Sequence, residues 1–178
     1  MFAARDEFLA AVSAVKQAGM NAYADVVFNH KDGGDETEEV WAQAVDWNNR
    51  NSTVGGWEKI RAWTKFTFPG RGTTYSNMKW DWHCFDSVSY NEATKDSKHL
   101  YRLKEKGFET EVSHEHENYD YLLANDLDMG EADVRDDLMR WGGWFLETTG
   151  VDGFRCDAVK HIRSSWFPVW LTELRTHF

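Results

Sequence analysis

Val151-Asp-Gly-Phe-Arg-Cys-Asp157 is a short segment that begins with an apolar residue, ends in charged ones, and follows a stretch with helical periodicity. That stretch, residues 131–148, carries one apolar stripe at spacings of three and four: Val134, Leu138, Trp141 and Phe145. Gly150 then supplies the residue type that commonly ends a helix. The pattern predicts a helix over 131–148 and a strand over 151–157.

An earlier part of the chain has the same order of elements. A helix is predicted at about residues 6–18, and the segment Asn21-Ala-Tyr-Ala-Asp-Val-Val-Phe28 has the β-branched, nearly uncharged composition of a buried strand. A last helix is predicted at residues 165–176. Strands that alternate with helices pair in parallel. Because two parallel strands leave both edges bare and a full (β/α)8 barrel takes about 250 residues, we predict an α/β fold that is a slice of something larger, such as a partial (β/α)8 TIM barrel.

The residues between the two strands lose this periodicity. They mix glycine, asparagine, aspartate and aromatic residues with short strand-like pieces such as 61–68. Their aromatic content argues against disorder, so we predict an irregular, β-rich lobe inserted into the barrel. The predicted division is a barrel segment at 1–30, the inserted lobe at 31–125 and a second barrel segment at 126–178.

The composition excludes several classes of protein. The 178 residues carry a net charge of −10, and the 20 lysines and arginines are scattered, so nucleic acid is not an expected partner. No apolar run is long enough for a membrane span, and Met1–Ala10 lacks the apolar core of a signal peptide. The compartment, secreted or cytoplasmic, stays open. Two isolated cysteines, Cys84 and Cys156, exclude a disulfide framework and a zinc ribbon.

Ten tryptophans are an unusual number for this length, and six of them lie between residues 40 and 83: Trp41, Trp47, Trp57, Trp63, Trp80 and Trp82. Flat aromatic faces suit sugar rings, whereas large aromatic side chains in a core explain the same composition. The composition leaves both interpretations open.

Both predicted strands end in polar residues that suit a functional site. These residues are Asn29 and His30 after the first strand, and Arg155, Asp157, Lys160 and His161 at and after the second. Active sites of α/β barrels are built at the carboxyl ends of the strands. On spacing alone, an equally open alternative is that Asp157 caps the following segment or pairs with Arg155.

Two segments resemble signatures of the α-amylase family, glycoside hydrolase family 13. Asp25-Val-Val-Phe-Asn-His30 is similar to the first signature, and Gly153-Phe-Arg-Cys-Asp-Ala-Val-Lys-His161 is similar to the second. The lobe segments Phe68-Pro-Gly-Arg-Gly72 and Asn118-Tyr-Asp-Tyr121 resemble domain B of bacterial liquefying-type members. The resemblance runs over the whole chain in order. It implies that the chain corresponds to the third and fourth barrel strands with domain B between them.

The resemblance implies a retaining hydrolysis of internal α-1,4-glucosidic bonds in starch- or glycogen-type glucans. Asp157 aligns with the nucleophile, and Arg155, two residues earlier on the same strand face, would hold it ionised. His30 resembles the histidine that contacts the sugar at the cleaved residue. Lys160 and His161 would contact the sugar on the leaving-group side.

Retaining glycosidases need two carboxylates about 5–5.5 Å apart, a nucleophile and an acid/base. The resemblance implies that the acid/base is a glutamate on the next barrel strand and that a third carboxylate comes from a later one. Glu173 is expected to be a surface residue of the last helix, and Asp25 a structural partner at the first strand. The chain is therefore expected to be a fragment that lacks the acid/base and is inactive alone.

Hard oxygen donors in the sequence suit Ca²⁺. By the resemblance, Asn29, Asp120, Asp126 and the backbone carbonyl of His161 form a calcium site that clamps the lobe to the barrel.

Liquefying-type relatives add a second calcium cluster, and the corresponding positions here are Asp86, Glu109 and Asp128. This sequence departs from the family pattern there. Glu109 replaces an aspartate, and Gly130 stands where another aspartate is usual.

The leading hypothesis is thus an enzyme whose partner is an α-glucan polysaccharide or oligosaccharide and whose full-length form is a monomer. One alternative is a transglycosylating member of the same family, against which the liquefying-type lobe argues. The other is a non-catalytic glucan-binding or transporter-associated homologue. Such relatives often lose the strand-end aspartate, which is present here as Asp157.

Overall fold

The computed structural model describes residues 4–177, which form three α-helices and eight strands. The helices are α1 (Arg5–Gln17), α2 (Ala132–Thr149) and α3 (Trp166–His177). The strands are β1 (Tyr23–Val27), β2 (His30–Lys31), β3 (Glu36–Val45), β4 (Thr53–Lys65), β5 (Phe85–Val88), β6 (Leu100–Leu103), β7 (Asn125–Leu127) and β8 (Gly153–Asp157). Residues 1–3 of the first predicted barrel segment and Phe178 of the last lie outside the described residues. Over residues 4–177, no helix has the length and apolar content that crossing a membrane requires.

β1 and β8 form a two-stranded parallel sheet, which confirms that the two predicted strands are neighbours. The register sets Asp25 opposite Arg155 and Val27 opposite Asp157. A parallel pair requires a crossover, and here the connection contains the whole of β2 to β7 and then α2. The carboxyl ends of β1 and β8 therefore lie side by side.

The helix before β8 follows its predicted pattern. Val134 and Leu138 of the apolar stripe are buried, and Trp141 and Phe145 pack against the same core. α2 ends at Thr149, and Gly150 takes a left-handed φ of 67° that most residues with a side chain avoid. The predicted glycine stop is confirmed.

Phe28, directly after β1, is the centre of an aromatic core between the parallel strands and the helices. Its ring makes edge-to-face contacts with Trp141, Trp166 and Trp170, at centroid distances of 5.5, 5.5 and 5.0 Å. α3 approaches α2 closely at Gly142, where an added Cβ would lie 2.9 Å from the Trp170 ring. This packing fixes the end of β1, where the polar residues begin.

The long connection forms a six-stranded antiparallel sheet in the order β2-β7-β5-β6-β3-β4. The region is β-rich, as predicted, and two of its strands are longer than the short strand-like pieces that the sequence suggests. β3 and β4 are 10 and 13 residues long and pair as one hairpin. Buried positions alternate over residues 40–44 and 60–64 and include Val40, Ala42, Ile60 and Ala62.

Large aromatic residues hide this alternation in the sequence. Trp41, Trp57 and Trp63 occupy exposed positions of the hairpin, where a polar residue would have revealed the period of two. Of the six clustered tryptophans, Trp80 is buried in the core. The core interpretation therefore holds for Trp80, while Trp41, Trp57 and Trp63 are partly exposed to solvent.

Candidate active site and metal centre

The carboxyl end of β8 carries charged groups in direct contact. Arg155 and Asp157 are two residues apart in one strand, so their side chains lie on the same face. Nη1 of Arg155 lies 2.8 Å from Oδ1 of Asp157. The same nitrogen donates to both carboxylate oxygens of Asp25, at 3.0 and 3.1 Å. The guanidinium is thus held by a carboxylate from each strand.

Arg155 keeps its positive charge beside the partly exposed carboxylate of Asp157. The pKa of Arg155 is raised, first by its hydrogen bond to Asp25 and then by the negative charges of Asp157 and Asp25. The side chain of Asp157 is 46% exposed. The carboxylate of Asp157 is therefore partly accessible in the described part of the chain.

His30 begins β2, three residues after the end of β1, and lies within electrostatic range of the same carboxylate. Its Nδ1 lies 3.1 Å from Oδ1 of Asn29. Partial burial lowers the pKa of His30, and the negative charges of Asp157 and Asp32 oppose that shift. The structure therefore brings together His30, Arg155 and Asp157, three of the five residues predicted to act on substrate.

Lys160 and His161 lie in a 3₁₀ turn, Val159–His161, but their surroundings differ. The ammonium of Lys160 is half-exposed, 2.8 Å from the carboxylate of Glu115 and 4.7 Å from the centre of the Tyr119 ring. His161 is only 3% exposed, and its Nδ1 donates to the carbonyl of Tyr119 at 2.6 Å. Lys160 is open to a ligand, whereas the ring of His161 is enclosed, and its predicted contact with sugar stays a prediction.

The backbone carbonyl of His161 belongs to a second group of polar atoms, gathered around Asn29. Nδ2 of Asn29 donates to Oδ1 of Asp126 at 2.9 Å, to the carbonyl of Asp120 at 3.2 Å and to the carbonyl of His161 at 3.4 Å. The buried Asn29 therefore brings together the four residues predicted for the first calcium site, from three distant parts of the sequence.

Asp86, which the family resemblance assigned to the second cluster, joins this group. Carboxylate oxygens of Asp86, Asp120 and Asp126 lie within 4.8 Å of one another, and all three residues are buried. Burial is the main cause that raises their pKa values, to about 7 for Asp120 and well above the ordinary range for Asp86 and Asp126, and neighbouring acidic side chains add to it. Oδ2 of Asp86 is buried without a hydrogen-bond partner in the described part of the chain.

This donor set fits a hard divalent cation. Buried carboxylates that face one another repel unless a positive charge compensates them. Carboxylate, amide and backbone carbonyl oxygens are the ligands that Ca²⁺ takes in proteins. A half-turn of the Asn29 amide would present its oxygen to the position that its nitrogen now faces. The unpartnered oxygen of Asp86 supplies a further free acceptor.

The other two acids predicted for the second cluster each contact a basic side chain. Glu109 contacts Arg163, and Asp128 contacts Lys106. The backbone N–H of Glu109 donates to Oδ2 of Asp120 at 2.7 Å, so Glu109 lies next to the buried group, and the predicted grouping of Asp86, Glu109 and Asp128 stays a prediction. Each of these two acids is paired with a basic side chain of the chain itself.

Arg50 is a residue of this region that the sequence did not reveal. It follows the polar pair Asn48-Asn49 and would be expected to be exposed, yet it is 4% exposed. Its guanidinium stacks on Tyr119 and Tyr121, at 4.9 and 5.6 Å from the ring centres. Burial lowers the pKa of Arg50, while Tyr119 and the charge of Asp126 oppose the shift. The only sequence signal was the pair of tyrosines, which offers faces for a cation.

Comparisons with known proteins give one consistent result. A family model described as "Alpha amylase, catalytic domain" matches residues 1–173. An α-amylase of Geobacillus stearothermophilus is 48% identical over 177 residues, which are 98% of this chain and 32% of that protein. A glucan 1,4-alpha-maltohexaosidase of Bacillus sp. (strain 707) is 44% identical over 98% of this chain and 34% of its own length. A cytoplasmic α-amylase of Escherichia coli (strain K12) is 32% identical over 95% and 35%. The chain spans about a third of the length of the curated relatives it matches.

Proposed function

The chain belongs to the α-amylase catalytic domain family, and from this premise we propose that the full protein hydrolyses internal α-1,4-glucosidic bonds of starch- or glycogen-type glucans with retention. Asp157 is the proposed nucleophile. The observation that carries the proposal is its half-exposed carboxylate at the end of β8, in contact with Arg155, which Asp25 holds in turn. The names of the relatives, α-amylase and glucan 1,4-alpha-maltohexaosidase, support the substrate class.

The reaction proceeds in two displacements at the anomeric carbon. In the first, an oxygen of Asp157 attacks that carbon, the bond to the glucosidic oxygen breaks, and a carboxylic acid protonates the departing oxygen. In the second, water attacks the same carbon, gives its proton to the now ionised acid/base, and releases Asp157. Each step inverts the carbon once, so the product keeps the α configuration.

The acid/base is the part of this mechanism that we do not assign to any residue of the chain. Following the family resemblance, we propose that a glutamate beyond this sequence supplies it, and that the 178-residue chain is inactive alone. Glu173 is no substitute, because it is exposed on α3 and contacts His177 at 3.4 Å.

Three residues around Asp157 take the substrate-binding roles. His30 contacts the sugar at the cleaved residue, and Lys160 and His161 contact the sugar on the leaving-group side. For Lys160 this is supported by its half-exposed ammonium. For His161 the buried ring means that only a rearrangement beside Tyr119 would bring it to a sugar.

The proposed architecture is the third and fourth strands of a (β/α)8 barrel, with an inserted domain B. Residues 1–30 and 126–178 are the barrel segments, and residues 31–125 are the insertion. The parallel pairing of β1 with β8 supports this placement. So does the order of the helices along the chain, with α1 before β1, α2 before β8 and α3 after it. The antiparallel sheet crosses both proposed limits slightly, because β2 begins at His30 and β7 ends at Leu127.

Ca²⁺ is the proposed cofactor. Asp86, Asp120 and Asp126 would hold it, together with Asn29 and the carbonyl of His161. When bound, the ion supplies the positive charge that the three buried carboxylates require. Asn29 and His161 then fasten the end of β1 and the turn after β8 to the lobe, which keeps His30 and Lys160 in place around Asp157.

A trapping experiment tests the proposal. The full protein is incubated with a fluorinated α-glucosyl fluoride, whose covalent intermediate breaks down slowly, and its peptides are analysed by mass spectrometry. We expect a sugar adduct on the peptide that contains Asp157 and none in Asp157→Asn. Proton NMR of the first product should show the α-anomer. An adduct on another carboxylate, or a β-anomer, would refute the assignment. Glucan binding without turnover, or elongated products, would favour the non-catalytic or the transglycosylating alternative.

A further inference from the structure

The ammonium of Lys106 sits in a cage of oxygen atoms between the lobe and α2. Its side chain is 7% exposed, and Nζ lies 2.9 Å from Oδ2 of Asp128 and 2.7 Å from the carbonyl of His83. It also contacts the carboxylate of Glu131, the residue before α2. Two carboxylates and a carbonyl form a donor set that hard metal cations take. An ammonium has three N–H donors and satisfies all three oxygens.

A second basic side chain, Arg163, pairs with Glu109 in the same way. The side chain of Glu109 is 3% exposed, and its Oε2 lies 2.7 Å from Nε and 2.5 Å from Nη2 of Arg163. Arg163 follows the 3₁₀ turn after β8, so this pair joins the lobe to the segment that carries Asp157. The guanidinium thus reaches one oxygen of a buried carboxylate with two N–H donors, which makes a charge-assisted contact.

The backbone N–H of Gly130 orients the carboxylate of Asp128 toward Lys106. The N–H of Gly130 donates to Oδ1 of Asp128 at 2.8 Å, which leaves Oδ2 for the ammonium. A Cβ at position 130 would lie 2.8 Å from the same Oδ1. An aspartate at this position would therefore displace the carboxylate of Asp128 from its present contact. The glycine both removes a metal-binding side chain and makes room for the Asp128–Lys106 pair.

We propose that this side of the lobe is fastened by the chain's own cations, Lys106 and Arg163, in place of a second metal ion. Lys106 joins the turn at His83 and the strand end at Asp128 to the start of α2, and Arg163 joins Glu109 to the segment after β8. Calcium dependence is then confined to the group of Asp86, Asp120 and Asp126. The inference does not depend on the catalytic role of Asp157.

The number of bound calcium ions tests the proposal directly. The full protein and two variants are dialysed to equilibrium against Ca²⁺, and the bound metal is measured by elemental analysis. Asp128→Asn should bind as many ions as the parent protein. Asp120→Asn, which removes a ligand of the proposed calcium site, should bind fewer and serves as the positive control. One ion fewer in Asp128→Asn would overturn the inference.

Thermal unfolding gives a second measurement. Lys106→Met keeps the side-chain length and removes the charge, leaving Asp128 and Glu131 without a cation. We expect its melting temperature to fall by roughly 5 °C, both in excess chelator and in saturating Ca²⁺. Lys104→Met is the matched control, because Lys104 is exposed in the same segment. A fall restricted to calcium-containing buffer, or no fall at all, would contradict the proposal. If Lys106→Met does not fold, the calcium count of Asp128→Asn still decides.

Discussion

Arg155 on β8 and Asp25 on β1 stand directly opposite each other, and Nη1 of Arg155 donates to both carboxylate oxygens of Asp25, at 3.0 and 3.1 Å. The same nitrogen lies 2.8 Å from Asp157. Both side chains of the pair are more than half exposed, so the pair adds little to stability. The pair instead holds the guanidinium of Arg155 in position beside Asp157, the proposed nucleophile.

Asp25→Asn should therefore impair catalysis more than folding. The amide keeps the shape but offers Arg155 one neutral oxygen, so the guanidinium is no longer fixed beside Asp157. In the full protein we expect kcat on soluble starch to fall about 10- to 100-fold, with a melting temperature close to that of the parent. Glu39→Gln, an exposed carboxylate of the distant hairpin, is the matched control. An unchanged kcat in Asp25→Asn would show that Arg155 does not need this partner.

Asp157→Asn should abolish turnover while glucan binding persists. The amide has nearly the same size as the carboxylate but cannot attack the anomeric carbon. We expect kcat of the full protein to fall by about four powers of ten or more, and the Kd for a maltooligosaccharide to stay within about threefold of the parent. Steady-state kinetics and calorimetric titration measure the two quantities. Glu147→Gln, exposed on α2, should alter neither. Substantial turnover by Asp157→Asn would assign the nucleophile elsewhere.

The two parallel strands and their helices could be predicted, because the residue patterns that specify each element lie within a short stretch of sequence. The stripe from Val134 to Phe145 and the stop at Gly150 depend on spacing alone, and the structure has both. The hairpin of β3 and β4 was not predictable to its full length, since Trp41 and Trp63 fill solvent-facing positions. There, residues 42–45 of β3 also pair with β6, a contact between distant parts of the chain that leaves no local pattern.

The site residues also differ in whether the sequence could identify them. The resemblance singled out Asn29, Asp120 and Asp126, and the structure brings them together. It did not identify Lys106 or Arg163, because a lysine or arginine in a polar loop has the composition of an exposed residue. Only the fold shows that Lys106 meets Asp128 and Glu131. Partners that are distant in sequence leave no local pattern.

Phe28→Ala should destabilise the protein strongly. The ring packs edge to face on Trp141, Trp166 and Trp170 and is 4% exposed. Its removal leaves a cavity that three rigid aromatic rings cannot fill. We expect the free energy of unfolding to fall by about 3–5 kcal/mol, measured by urea denaturation with tryptophan fluorescence. Val54→Ala, at an exposed position of the hairpin, should cost less than about 0.5 kcal/mol. Equal losses in the two variants would contradict the packing described here.

The proposed calcium site predicts how stability depends on pH. In the metal-free protein, burial raises the pKa of Asp120 from its ordinary 3.8 to about 7, and those of Asp86 and Asp126 are also raised. The folded state then binds protons that the unfolded chain has already released. Stability of the metal-free protein should therefore fall as pH rises from about 4 to about 7. Ca²⁺ binds the ionised carboxylates and displaces those protons, so its affinity should rise over the same window.

The measurement is the difference in melting temperature between saturating Ca²⁺ and excess chelator, recorded on the full protein from about pH 5 to about pH 8. We expect this difference to widen as pH rises, because the metal-free form weakens while the calcium form gains. Asp120→Asn removes one of the titrating carboxylates and should flatten the dependence, whereas Glu39→Gln should leave it unchanged. A difference that stays constant or narrows with rising pH would show that Ca²⁺ does not bind at these three carboxylates, since binding there must displace their protons.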